Sequence, residues 1–194
     1  MTFDFWFDFS SPYAYFASTQ VEALAARTGA TVVWRPMLLG AVFKQIGQAD
    51  APLLAASAAK QRHYLRDLER WADLWAAPYR FPSRFPMRTV LPLRVFLAHP
   101  EPLPFAHAVY RAAWGEDRDV SDPDVLIACG ATPAIIEAAN SQKQALIDAT
   151  AEAVRVGVFG APTFVVHAAQ DHLFWGQDRL DMVERCLKGW VPPG

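Results

Sequence analysis

Cysteine is nearly absent. The chain has two thiols in 194 residues, Cys129 and Cys186, far apart and in no C-x-x-C or metal-ligand spacing. That pattern excludes a dithiol redox centre and a zinc site, and leaves each cysteine as a small buried hydrophobe. The five histidines, His63, His99, His107, His167 and His172, form no H-x-x-x-H or H-E-x-x-H pattern, and no glycine-rich loop follows a strand as a phosphate cradle requires. An excess of one charge is missing too: the formal net charge is -2, with both signs spread along the chain and no basic stripe to track phosphates. Nucleic acid is therefore not an expected partner. No segment offers the roughly 18 uninterrupted apolar residues of a membrane span, and no basic leader precedes an apolar run. The expectation is a soluble, cytoplasmic chain with no membrane partner.

What is present is core: 53% of the residues are hydrophobic, enough for one or two globular units with a real pocket. Over residues 3–9 the aromatics Phe3, Phe5, Phe7 and Phe9 take every second position, with Asp4 and Asp8 on the other parity. This is the period of a strand with one face on a core. Ser11-Pro12 then starts a helix, because a hydroxyl caps orphan N–H groups and proline suits the first helical position. Tyr13, Phe16, Ala17, Val21 and Leu24 continue at helical spacing until Gly29. Residues 31–34 are β-branched and aromatic before Pro36, so a second strand follows, parallel to the first through a right-handed crossover.

From about residue 38 to 157 the chain becomes Ala-rich and amphipathic, punctuated by prolines, and predicts several helices. The clearest covers residues 52–76, where Tyr64, Leu68, Trp71 and Trp75 repeat at helical spacing and read as bundle core. After it, strands at 163–167 and 172–175 joined by a short polar turn must be antiparallel, and a helix over 177–188 closes the chain. The expected class is α/β: a thioredoxin-like unit from 1–37 plus 158–194, with an all-helical insertion over 38–157. No internal repeat or low-complexity tract disturbs that plan.

The combination of FDFSSPYAY, FPMRT, GVFGAPTF and FWGQDRL resembles the 2-hydroxychromene-2-carboxylate isomerase family, kin to the kappa class of glutathione transferases and more remotely to DsbA-like oxidoreductases. The resemblance spans nearly the whole chain. It implies glutathione as cofactor, with Ser11 at the position where a disulfide oxidoreductase carries its reactive cysteine. Physically, a hydroxyl beside a helix start can donate to a thiolate and favour its ionised form. From the local sequence alone Ser11 reads as a helix cap, a preference that the downstream motifs reverse, and Ser10 has little claim to a direct role. The resemblance further implies a cis peptide between Ala161 and Pro162, leaving the Ala161 backbone to pair with the cysteinyl unit of glutathione by strand addition. It places the γ-glutamyl end at Trp175, Gly176, Gln177 and Asp178.

The other substrate, by resemblance a small aromatic carboxylate, belongs in the groove between the two units. Lys44, Lys60 and Arg88 are candidate cations for it, with Gln48 and Phe85 beside them. Here the pattern departs from the family: Arg88 stands where asparagine is usual, and Gln48 where asparagine is frequent. The implied activity is glutathione-dependent isomerisation of an aromatic-degradation intermediate, in a homodimer. A kappa-type transferase or peroxidase, and a non-catalytic peptide-binding protein of the same fold, stay open as alternatives. A dithiol oxidoreductase is least compatible, because Ser11 is not a thiol.

Overall fold

The N-terminal aromatics form β1 (Thr2–Phe7), followed by α1 (Pro12–Ser18), α2 (Val21–Thr28) and β2 (Thr31–Pro36), in a computed structural model that describes residues 1–49 and 51–193. The single helix expected up to Gly29 is broken in two. The Ser18 and Thr19 hydroxyls donate back to the carbonyls of Tyr15 and Phe16 at 2.6 and 2.7 Å, which tightens the chain at the junction. Gly29, at φ 66°, ends α2 in the left-handed conformation that favours glycine.

The chain then stays helical through α3 (Leu39–Ile46), α4 (Pro52–Ala55), α5 (Ala58–Leu74), α6 (Val90–Ala98) and α7 (Pro102–Tyr110), which runs into a π-helical turn at Arg111–Gly115. There follow α8 (Pro123–Ala128), α9 (Pro133–Ala138) and α10 (Lys143–Arg155). The long helix expected over 52–76 is interrupted before Ser57, which caps α5 by accepting from the Lys60 amide. Its aromatic stripe is less buried than expected. Leu68 is fully enclosed, whereas Tyr64, Trp71 and Trp75 are half-buried and the two indoles pack on each other at 4.8 Å. The physical reason is that α5 lies over α1 rather than inside a bundle.

The sheet is completed by β3 (Thr163–His167) and β4 (His172–Trp175), and α11 (Leu180–Leu187) closes the chain. Strand order is β2-β1-β3-β4, with β1 parallel to β2 and antiparallel to β3, and β3 antiparallel to β4. This is the thioredoxin-like arrangement, an α/β sheet unit carrying a large all-helical segment between β2 and β3.

As a central strand, β1 is covered on both faces, so the one-sided burial expected from its alternation is incomplete. Phe3, Phe5, Phe7 and Phe9 are fully buried, and Trp6 and the two aspartates of the opposite parity are buried as well. On the aromatic face Phe5 packs edge-on to Trp34 at 4.8 Å, Phe7 meets Phe96 of α6 at 5.1 Å, and Phe9 meets Tyr110 of α7 at 4.9 Å. Such pairs contribute roughly 0.5–1.5 kcal/mol each beyond area burial, and here they weld the sheet to the helical segment. On the opposite parity Asp4 lies between Arg35, 3.1 Å away, and His167, 3.2 Å away. Arg35 is close enough for charge but out of line for a hydrogen bond, since Asp4 Oδ1 has no hydrogen-bond partner among the described residues. Both cysteines are free and buried, as expected.

Candidate active site

Residues 8–11 leave the end of β1 and are held from three directions. The Asp8 carboxylate accepts the Ser10 amide at 3.0 Å through Oδ1 and the Leu39 amide at 2.8 Å through Oδ2, which ties the loop to the start of α3. Burial pushes the Asp8 carboxyl up, against the pull of those two amides and of the Thr89 and Ser10 hydroxyls. From the helical segment, the Tyr110 hydroxyl donates to the Asp8 carbonyl at 3.2 Å and the Trp114 indole N–H to the Phe9 carbonyl at 2.8 Å. Trp114 lies in the π-helical turn, whose extra residue shifts the helix face that meets the loop.

That scaffold delivers Ser11. Its backbone is extended, its N–H donates to the Asp8 carbonyl at 3.1 Å, and its side chain, 4% exposed as a residue, works in two directions. The hydroxyl accepts the Ala14 amide at 3.2 Å, as a helix cap, and donates to the Ala161 carbonyl at 2.8 Å. The first and second motifs of the sequence therefore meet at one oxygen.

The Ala161-Pro162 peptide is cis, as is Phe85-Pro86. The Ala161 backbone was expected to be wholly available for strand addition. Only half of it is: the carbonyl is taken by Ser11, while the N–H finds no hydrogen-bond partner among the described residues. Neighbouring atoms fix the segment. The Thr163 hydroxyl donates to the Gly160 carbonyl at 2.7 Å and the Gly176 amide to the Pro162 carbonyl at 3.0 Å.

The third motif lies alongside. Trp175 covers Gly160 so closely that a Cβ there would stand 2.5 Å from the indole nitrogen. Gly176 has φ 108°, and a Cβ on it would stand 2.5 Å from Asp178 Oδ1. Only glycine lets the carboxylate fold back over this turn. Gln177 is buried, whereas Asp178 is exposed and pairs with Arg179 at 2.9 Å. Opposite them stands Tyr13, whose hydroxyl is pushed up to about 12 by burial and by the charges of Asp67, Tyr64 and Asp178. The start of α1, the face of α5 and the turn after β4 thus stand within electrostatic reach of one another at Tyr13.

A cavity of about 510 Å³ opens on the other side of the loop, between the start of α3 and α6. Ser10, not Ser11, lines it, together with Asp8, Arg88, Thr89 and Arg94. A second cavity of about 320 Å³ lies between the residues around Arg88 and the polar loop holding Asp117 and Asp119. Arg88 is exposed and borders both. Lys44, Gln48 and Lys60 are exposed and border neither; the Lys60 ammonium sits 5.5 Å from the centre of the Tyr64 ring. Phe85 also borders neither, packing on Phe81 at 5.2 Å and Trp114 at 6.1 Å. Sequence reading missed Arg94. The available signal was its isolation, as the one charge in the helix VLPLRVFLA.

No group of three or more His, Cys, Asp or Glu side chains among the described residues could hold a metal, and no helix among them is long and apolar enough to cross a membrane.

This geometry has close counterparts. A family model for DSBA-like thioredoxin domains matches residues 2–188. A 2-hydroxychromene-2-carboxylate isomerase of Sphingobium xenophagum is 31% identical over 194 residues, covering 96% of this chain and 97% of the relative. A glutathione S-transferase kappa 1 of Caenorhabditis elegans is 28% identical over 203 residues, covering 95% and 90%. Among solved structures, a selenomethionine 2-hydroxychromene-2-carboxylate isomerase superimposes with a TM-score of 0.81 at 26% identity, covering 97% of this chain and 95% of its own. Matched along nearly its whole length, the chain belongs to the DSBA-like thioredoxin domain family and, within it, to the enzymes of the 2-hydroxychromene-2-carboxylate isomerase family.

Proposed function

We propose that the protein is a glutathione-dependent isomerase acting on 2-hydroxychromene-2-carboxylate, its open trans-o-hydroxybenzylidenepyruvate form, or a related aromatic-degradation intermediate. The observation that carries this reading is the 2.8 Å bond from the Ser11 hydroxyl to the Ala161 carbonyl, which sets a proton donor against backbone that can pair with a peptide. The residues fit glutathione: among the described residues the Ala161 N–H is without a partner and its carbonyl is held only by a hydroxyl that can turn away, and the Gly176 turn is a cradle that a Cβ would fill.

In this reading Ala161 pairs with the cysteinyl unit, and Trp175, Gly176, Gln177 and Asp178 take the γ-glutamyl end, with Asp178 facing the ammonium group in place of Arg179. Bound there, glutathione supplies a thiolate whose reversible addition to a conjugated carbon turns a double bond into a bond that can rotate. Ser11 releases Ala161 when a peptide N–H takes over that carbonyl, and its hydroxyl proton is then free to stabilise the sulfur anion. Among the cations expected for the aromatic carboxylate, Arg88 borders the large cavity, and Lys44 and Lys60 lie outside it. A cytoplasmic homodimer belongs to the same proposal.

Calorimetric titration with reduced glutathione tests the reading. The wild type is expected to bind with appearance of thiolate absorbance, and Asp178→Ala to bind at least about tenfold more weakly, since a charge-assisted hydrogen bond contributes roughly 1.5–3 kcal/mol. Absence of binding to the wild type would discard it. The kappa-class relative supports a second reading, a transferase on the same thiol site, which yields a stable glutathione conjugate in place of a rearranged substrate.

A further inference from the structure

We infer that the cavity beside Ser10 is a carboxylate-binding subsite and that Arg94 is the residue that holds the anion. The inference deepens the proposed isomerisation and rests on it for the kind of ligand, a small aromatic acid.

Arg94 sits in the middle of α6 and borders the cavity, and its Nε is sealed from solvent without a hydrogen-bond partner among the described residues. A buried donor of a charged group that stays unpaired is costly, so native interiors leave few of them. Among the described residues no carboxylate lies within ion-pair distance of this guanidinium, and the nearby acids are engaged elsewhere. Both Asp8 oxygens receive amides, those of Ser10 and Leu39. Asp119 accepts the Ser121 amide and hydroxyl and pairs with Arg84 at 3.3 Å. A positive group, partly buried as a residue, thus stands in an apolar helix at the wall of a cavity, with no acidic partner among the described residues.

The cavity suits that partner. At about 510 Å³ it has the size of a small-molecule site, and Leu38, Ala41, Met87 and Leu91 give it apolar walls for a ring. A guanidinium fork matches a carboxylate in two parallel hydrogen bonds, which an ammonium cannot do. Ser10 lines the cavity, so an acid anchored at Arg94 lies one residue along the chain from Ser11, across the loop from the hydroxyl that donates to Ala161. Arg88 stands at the mouth, but it is exposed and shares its field with Asp119, so it steers the anion where Arg94 binds it.

The test uses trans-cinnamate, a planar aromatic acid, and its neutral amide, cinnamamide, titrated into the full chain. The wild type is expected to prefer cinnamate by at least tenfold. Arg94→Met, which keeps the volume, should erase that preference by weakening cinnamate alone, Arg94→Lys should restore part of it, and Arg88→Met should cost no more than a few-fold. Because Arg94→Met removes an unpaired buried donor, its melting temperature is expected to equal or exceed that of the wild type. Equal wild-type affinity for acid and amide, no binding of either, a cinnamate affinity within twofold of wild type in Arg94→Met, or a larger loss in Arg88→Met would each overturn the assignment. The wild-type ratio is readable whatever the variants do. Reduced glutathione titrated into the same samples separates the two ideas: its binding without an Arg94 effect sinks this subsite and spares the isomerase reading, and the reverse result does the opposite.

Discussion

Replacing Ser11 by alanine removes two hydrogen bonds at once, and the structure says how much each should matter. The cap on the Ala14 amide is of the kind that costs about 1 kcal/mol when a serine becomes alanine. The bond to the Ala161 carbonyl joins two buried groups, and its loss costs about 1 kcal/mol more. A total of about 2 kcal/mol in a chain of this length lowers the melting temperature by roughly 4–8 °C. Ser11→Gly separates the two contributions, because glycine is tolerated at a cap at a cost of only a few tenths of a kcal/mol. That variant should lose about 2–4 °C, the share of the Ala161 bond alone.

Both variants lack the hydroxyl, so both should impair ionisation of bound glutathione equally. Donation to an anion at roughly 1.5–3 kcal/mol corresponds to about one to two pH units in the midpoint of thiolate absorbance. Calorimetric melting and ultraviolet titration of the bound thiol read the two effects separately. If Ser11→Ala melts within about 1 °C of the wild type, the bridge between the motifs contributes nothing to stability. If the thiol midpoint follows melting temperature, so that glycine spares it and alanine does not, Ser11 acts as a cap and the thiolate role is refuted.

Gly176→Ala should destabilise by about 1–3 kcal/mol, because φ 108° with ψ 145° is a region nearly confined to glycine. The new Cβ would also push Asp178 off the turn, so glutathione affinity should fall together with the melting temperature, and an unchanged melt would contradict the geometry. His167 carries a share of the pH dependence. Burial lowers its basicity, but hydrogen bonds to Asp171 and Asp4 outweigh this and raise its folded value above the ordinary 6.5. The imidazolium therefore adds stability that is fully present below 6.5 and is lost as pH rises through the folded value. The melting temperature of His167→Gln, measured across that range, should lack this decline, and a wild type that gains stability there relative to the variant would show the sign to be wrong.

Where local chemistry decides, the elements could be read from residues alone. Ser11-Pro12 starts α1, Gly29 ends α2, and β3 and β4 cover the stretches that their alternation and turn residues predict. Where a hydroxyl competes with the helix ladder, as Ser18 and Thr19 do, periodicity runs on through a real break. Alternation in β1 likewise reports that one face is apolar. It cannot report that the polar face is buried as well, which follows from the strand's place between β2 and β3.

The candidate site divides in the same way. Its motifs were visible, but its joints link residues more than a hundred positions apart: Ser11 to Ala161, Tyr110 to Asp8, Trp114 to Phe9. No window of sequence contains such a pair. Arg94 is the harder case, because what distinguishes it is a missing partner, and a partner's absence can be established only once every neighbour has been placed. In the sequence it is one arginine among many. In the fold it borders a cavity, with its Nε buried and unpaired among the described residues, while Lys44 and Lys60, the more conspicuous candidates, are exposed and border neither cavity. A charge in water is screened and exchangeable, whereas a guanidinium partly withdrawn from water and without an acidic partner among the described residues has given up part of its hydration, so an incoming carboxylate gains more from meeting it. That difference in solvation, rather than proximity in the chain to a recognised motif, ranks the cations of this groove.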